Sequence, residues 1–298
     1  MRFAPIAIFV YRRPGHARRM LESLARNPEL SESPVVVFCD GPRTAAERDA
    51  VARTREVVRA AAPRHARIVE RDMNMGLAAS VIAGVTRLCN EHGRVIVLED
   101  DLVLSPAALA YFNRALDRYR DDERVMHVSS YMYPTGAALP DAFFYREATC
   151  WGWATWGRAW GKFEPDAARL RDWLSPAERR FEFDVQGSTP FFRMLELQLA
   201  GRVDSWAIRW YGTLRMHDGL ALHPGRALTS NEGLDGSGAH RDVTTEFAVE
   251  LAGAPPARLP DTIEESDVAV QAMIAFHRRR RRRRWLALPR ALWRRVAG

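Results

Sequence analysis

The chain has 298 residues, 47% of them hydrophobic, with 44 Lys and Arg against 37 Asp and Glu for a net charge of +7. That length and apolar content support one large domain with a substantial core, and no run approaches the ~20 apolar residues of a membrane span. Ten arginines gather at the C-terminal end (Arg278 to Arg284, Arg290, Arg294 and Arg295); without them 34 basic residues face 37 acidic ones, a net of −3, which speaks against nucleic-acid binding by the body of the chain.

Pro5 to Tyr11 reads as an apolar strand closed by Arg12-Arg13-Pro14-Gly15, after which Met20, Leu21 and Leu24 recur at helical spacing. The apolar stretch is too short for a secretory leader, arginines follow it, and no small-residue cleavage site is present. Pro34 to Cys39 is a second strand, closed by Asp40-Gly41-Pro42; Thr44 caps a polar helix to about Ala61, and Arg67 to Glu70 gives a third, weaker strand. From Gly76 to Glu91, Leu77, Val81, Ile82, Val85 and Leu88 line one helical face, and Gly93 leads into the strand Arg94 to Leu98, which ends in Glu99-Asp100-Asp101. Strands separated by helices imply right-handed crossovers and a mostly parallel sheet. Its ligands bind beyond the carboxyl ends of the strands, so Tyr11-Arg12, Asp40 and Asp100-Asp101 are expected on one rim. Three adjoining carboxylates repel one another and call for a counter-charge. Hard oxygen donors suit Mg²⁺ or Mn²⁺ holding a phosphorylated substrate; the alternative is an acidic surface turn.

Farther on, Trp151 to Trp160 holds four of the nine tryptophans. Trp153, Trp156 and Trp160 fall at i, i+3 and i+7, a helical face assigned to packing, which leaves Trp151 and Gly152 on the entering loop as candidates to bind an acceptor. Ser230 to His240 is a glycine-rich loop whose amides could close over a diphosphate. Cys39, Cys89 and Cys150 are odd in number and widely spaced in apolar surroundings, so free buried thiols, a reducing compartment and a cytoplasmic location are expected. After the arginine run, Trp285, Leu288, Leu292 and Val296 recur at roughly helical spacing, with Trp293 alongside. That pattern fits an anionic membrane surface; a solvated basic tail and a nucleic-acid attachment are the other readings.

The motifs Tyr11-Arg12-Arg13-Pro14, Val37-Phe38-Cys39-Asp40-Gly41, Asn74-Met75-Gly76-Leu77 and Val97-Leu98-Glu99-Asp100-Asp101-Leu102 together resemble the nucleotide-sugar half of GT-A glycosyltransferases over roughly Ile6 to Tyr133. The likeness is to the inverting N-acetylglucosaminyltransferases that begin N-glycan branching and to bacterial family 2 transferases. It implies a Rossmann-like α/β/α sandwich with a mixed, mostly parallel central sheet. A nucleotide-sugar half would span 1–133, an acceptor-binding half 134–254, and a C-terminal helix with its Arg-rich tail 255–298. The resemblance further implies that Asp40 meets the uracil of a UDP-sugar, Arg12 the nucleoside, and Glu99 and Asp100 the sugar and ribose. Asp101 would ligate Mn²⁺ or Mg²⁺, and Arg71 and Asn74 would position the donor, although Asn74 also suits a helix-entry cap. His240 would be a second metal ligand or an ordinary loop residue. The stretch Val203 to Arg209 is similar to the one that holds the family's catalytic Asp, so Asp204 would be the general base of an inverting transfer, or else a helix cap. The acceptor would be a saccharide or a lipid-linked one, in cell-surface polysaccharide or lipopolysaccharide synthesis at the inner membrane face. The other readings are a sugar nucleotidyltransferase and a catalytically decayed carbohydrate-binding protein.

Overall fold

A computed structural model describes residues 3–237 and 243–286. The strands are β1 Ile6–Val10, β2 Val35–Cys39, β3 Arg67–Glu70, β4 Arg94–Glu99, β5 Leu102–Leu104, β6 Val125–Ser129, β7 Ala142–Tyr145, β8 Trp153–Trp156, β9 Leu220–Pro224 and β10 Thr229–Asn231. The helices are α1 Pro14–Leu24, α2 Arg48–Ala61, α3 Leu77–His92, α4 Ala108–Arg118, α5 Gly157–Trp160, α6 Ala167–Trp173, α7 Ala177–Phe183, α8 Phe191–Leu199, α9 Trp206–Met216 and α10 Asp267–Leu286.

Eight strands form one mixed, mostly parallel sheet in the order β3-β2-β1-β4-β8-β6-β9-β7, and β5 pairs with β10 in a separate ribbon. The first four in that order run parallel, as the apolar runs require: β1 and β2 are buried at every position because helices cover both faces. Strand alternation divides their side chains. Ile6, Ile8, Val35, Val37, Ile96 and Leu98 pack with α1 and α4, whereas Phe9, Phe38, Val95 and Val97 pack with α3, α5 and α9. The chain is therefore an α/β/α sandwich, with the carboxyl ends of β1, β2, β3 and β4 on one rim.

The tryptophan segment departs from the helical expectation. Trp153 to Trp156 is strand β8, antiparallel to both β4 and β6, followed by a single turn of helix. Trp153 packs into the α3 and α9 side and Trp156 into the α1 and α4 side, opposite faces that residues three apart on a helix would not reach. All three tryptophans are nonetheless core residues, as their assignment to packing required. The cysteines are free, and burial pushes the Cys39 and Cys89 thiols up to about 12, which makes them inert near neutral pH.

Helix α10 carries the first part of the arginine run onto the folded body. Ala269, Met273 and Ile274 are buried against Phe143 and Tyr145 of β7, and His277 meets the buried Glu147 carboxylate at 3.3 Å, which also accepts from Tyr133 Oη at 2.8 Å. Arg279 donates to the Thr135 carbonyl (2.6 Å), Arg280 to Glu246 (3.1 Å) and Arg281 to the Gly187 carbonyl (3.1 Å). The first part of the arginine run thus belongs to the folded body, while Arg282 and Arg283 are exposed. Trp285 lies in α10, but Leu288, Arg290, Leu292, Trp293, Arg294, Arg295 and Val296 lie outside the described residues, as does His240.

Candidate active site

The rim brings β1, β2 and β4 together as the parallel register dictates, and the acids at its centre acquire a counter-ion. Arg13, three residues past β1, donates to Asp100 Oδ1 and, at 2.9 Å, to Asp101 Oδ2. The Tyr11 amide adds a bond to Asp100 Oδ2 at 3.2 Å. Burial works against the Arg13 charge, but Asp100 and Asp101 outweigh it and raise the guanidinium above its ordinary value. Burial also raises Asp100, a shift that Arg13 opposes. The sequence expectation named Arg12 on this rim. Arg12 instead pairs with Glu47 Oε1 at 2.6 Å, beside a Tyr11 hydroxyl that donates to Glu47 Oε2 at 2.5 Å.

Above the acids lies the glycine-rich loop. Asn231 of β10 pairs with Leu102 of β5, directly after Asp101, and the Glu232 amide donates to the Asp101 carbonyl at 2.8 Å. Gly233 then passes so close that a Cβ there would stand 2.3 Å from Asp101 Oδ2 and 2.9 Å from Arg13 Nη1, which only glycine avoids. Helix α1 holds the loop down through Arg19 to Glu232 (2.8 Å) and His16 to Asp235 (3.3 Å). Inside this closure Asp101 Oδ1 is buried with no hydrogen-bond partner among the described residues.

Asp40, at the end of β2, is held by the turn that follows β3. Its carboxylate accepts from the backbone amides of Gly41 (3.1 Å), Met75 (2.9 Å) and Gly76 (3.1 Å), and Arg71 stands 3.9 Å away. It therefore pins the turn that starts α3. Gly41 is required there, because a Cβ would meet the Met73 backbone at 2.5 Å. Asn74 closes the same turn by donating to the Gly41 carbonyl at 2.9 Å, and Arg71 donates to Ser80 Oγ. These three residues hold the rim together, and Asp40→Ala is expected to loosen the rim before it reports on any ligand.

Glu99 follows Val95 and Val97 on the sheet face that packs with α3 and α9. Burial, then the charges of Asp101 and Asp100, push its carboxyl from an ordinary 4.5 up to about 8. Because the folded protein holds this proton more tightly than the unfolded chain, Glu99 contributes stability that is complete below pH ~4.5 and is lost as the pH rises toward ~8. Glu99→Gln should therefore stabilise the protein more at pH 8 than at pH 5, read as a gain in Tm that grows with pH. A difference independent of pH in thermal melts would contradict this.

Trp151 is half-buried and stands edge-on to Tyr131 (4.7 Å) and Phe247 (5.3 Å). Gly152 is buried at φ +81, where a Cβ would lie 2.5 Å from Ser130 Oγ, so its role is to let strand ends meet. Asp204 precedes α9 and is exposed, paired with Arg209 at 2.9 Å. The cap of α9 is Ser205, whose hydroxyl accepts from the Ile208 amide, and not Asp204. Two residues on, Trp206 stacks on Trp153 at 5.0 Å, and Trp153 registers with Val97. The first turn of α9 thus lies on the same sheet face as Glu99. The structure unites Glu99, Asp100 and Asp101 with Arg13 and Gly233; no described contact joins Asp204 to them.

No protein-family model matches the chain, and no curated protein matches it in sequence. Among solved structures it is similar to a mannosyltransferase from Pyrobaculum calidifontis in complex with GDP-Man and Mn²⁺, at 13% identity over 72% of this chain and 69% of that one, with a TM-score of 0.39. It is also similar to S. aureus TarS (15% identity, 46% of this chain and 23% of that one, TM-score 0.28). A third is mannose-1-phosphate geranyltransferase from Thermus thermophilus (14% identity, 77% and 76%, TM-score 0.35). At these scores the likenesses assign neither family nor substrate, and the functional reading falls to the residues of the site.

Proposed function

We propose that the protein is a GT-A glycosyltransferase that moves a sugar from a nucleotide-sugar, a UDP-sugar first among them, to a saccharide or lipid-linked acceptor with inversion. One observation carries the reading: Asp101 has a buried oxygen without a partner, at the carboxyl end of a central parallel strand, beside a cation and beneath a glycine-rich loop. The donor set fits a metal that takes few protein ligands. Among the described residues no group of three His, Cys, Asp or Glu side chains could hold an ion alone, so phosphate oxygens and waters would complete a shell begun by Asp101. When bound, Mn²⁺ or Mg²⁺ would neutralise the charge that develops on the departing diphosphate.

The chain's own residues supply the rest. Arg13 stabilises negative charge on the rim, and the amides around Gly233 close over it. Glu99 and Asp100 approach the sugar and the ribose respectively, Arg12 and Asp40 contact the nucleoside, and Arg71 and Asn74 position the donor. Trp151 presents a ring to the acceptor, and Asp204 takes the acceptor hydroxyl's proton. A panel of nucleotide sugars in thermal shift, with and without Mn²⁺, tests the donor class, since a ligand that binds only the native state raises its melting temperature. Stabilisation by one nucleotide sugar that requires Mn²⁺ supports the reading; no shift across the panel contradicts it.

The same proposal places the enzyme on the inner face of a membrane, held by its basic C-terminal segment. Among the described residues no helix is long and apolar enough to cross a bilayer, whereas Arg282 and Arg283 extend α10 as exposed positive charge. Truncation after Arg281 keeps the contacts of His277 and of Arg279 to Arg281. It should shift the protein from pelleted anionic vesicles to the supernatant, and ~0.5 M salt should do so in part, because the Debye length then falls to about 4 Å. Equal pelleting of both proteins would mean that the segment is only solvated charge.

A further inference from the structure

Resting on the metal-dependent donor site proposed above, we propose that Arg13 stands in for the divalent ion in the donor-free protein: it holds Asp101 until metal and donor arrive together, then yields that carboxylate and turns to the diphosphate. Arg13 is placed to do this because it touches both acids, whereas Arg12 pairs with Glu47 beside Tyr11. One nitrogen of the Arg13 guanidinium, Nη2, takes Asp100 Oδ1 and Asp101 Oδ2 at once. The planar fork of the same group matches the paired oxygens of a diphosphate, so one side chain can serve both partners.

Space and charge then make the two cations alternatives. The Arg13 and Asp101 side chains are only 18% and 14% exposed, and Gly233 leaves no room over Asp101 Oδ2 even for a methyl group. The oxygen left for an ion, Asp101 Oδ1, is buried behind that closure, so a hydrated divalent ion does not reach it while Arg13 and Gly233 hold Oδ2, and two cations in contact with one carboxylate repel each other. A donor removes the conflict by offering Arg13 a second anion. The backbone is suited to such an exchange: Pro14 opens α1 immediately after Arg13, which fixes the main chain and leaves the long side chain as the part that moves. The device makes metal binding wait for the nucleotide. Without donor, the ion must displace an arginine already in place; with donor, the arginine has somewhere to go.

The test is a titration of the full-length protein with Mn²⁺ alone, following free Mn²⁺ by electron paramagnetic resonance, with Asp101→Asn as the baseline. Arg13→Gln should bind Mn²⁺ at the Asp101-dependent site at least about tenfold more tightly than the wild type, since a competing charge is gone. Arg13→Lys, which keeps the charge but loses the planar fork, should shift affinity the same way by less, and it stands in should the Gln variant fail to melt cooperatively. With UDP present the order should reverse, and the wild type should bind Mn²⁺ more tightly than Arg13→Gln. If Asp101→Asn abolishes Mn²⁺ binding by the wild type but neither Arg13 variant binds more tightly without nucleotide, the exchange is wrong and the metal site stands. If Asp101→Asn changes Mn²⁺ binding in none of the proteins, both are wrong.

Discussion

Asp101→Asn is expected to lower metal-dependent transfer by about 10³-fold, the loss that follows when several kcal/mol of charge stabilisation on a leaving diphosphate disappear. The substitution keeps the shape of the side chain and removes its charge. The Asp101 carbonyl still accepts the Glu232 amide, and Arg13 keeps Asp100, so the fold should survive. The variant should melt cooperatively and lose its response to Mn²⁺. A fall in kcat/KM of less than about fivefold at ordinary Mn²⁺ concentrations would remove Asp101 from the metal site, because an interaction worth so little is no ligand.

Asp204→Asn should lower transfer by roughly 10²-fold to 10⁴-fold while donor binding stays nearly unchanged, the pattern of a lost proton acceptor. Its position favours the assignment in two respects: Ser205 does the capping of α9, which leaves the Asp204 carboxylate available, and Trp206 anchors that turn against Trp153 on the sheet face that carries Glu99. The Arg209 partner must share the Asp204 carboxylate with the acceptor hydroxyl. Slow hydrolysis of the donor should persist in the variant, since water needs no acceptor pocket. Other acids make weaker candidates. Asp184 is spent on the Phe192 amide at 2.7 Å and Asp218 on Arg146, whereas Glu232 and Asp235 sit on the loop over Asp101. Near-normal transfer by Asp204→Asn, with loss in Glu232→Gln or Asp235→Asn, would move the base to that loop.

The upstream sheet was legible because its strands are continuous apolar runs that end in conspicuous polar residues. Val35 to Cys39 and Arg94 to Leu98 can be buried on both faces only in a parallel sheet between helices, and the rim follows. Farther on, the code weakens. Strand β6 contains His127 and Ser129, and β9 contains His223 and Pro224, so neither has the apolar continuity of β4. His127 is buried there because Trp210 Nε1 donates to its Nδ1 at 3.0 Å and burial pushes it down to about 3, which keeps it neutral. A spacing of three between Trp153 and Trp156 fits a helix as well as two faces of a strand, and pairing with β4, more than fifty residues upstream, settles it.

At the site, the three acids announced that a cation was needed, and Arg12 and Arg13 were both at hand. Local sequence could not choose between them. The choice depends on Glu47, which captures Arg12, and on Gly233, whose missing side chain makes room for Arg13 against Asp101. At Asp40 the sequence shows an acid at a strand end but not the three backbone amides that hold it, two of them from a turn formed more than thirty residues later.

The measurement closest to the central claim is release of nucleoside diphosphate from a panel of nucleotide sugars by the purified full-length protein, with Mn²⁺ and with excess chelator. Metal-dependent release from one donor by the wild type, absent in Asp101→Asn, is the result expected. No release from any donor, or release indifferent both to the chelator and to Asp101, would contradict a metal-assisted sugar transfer at this rim.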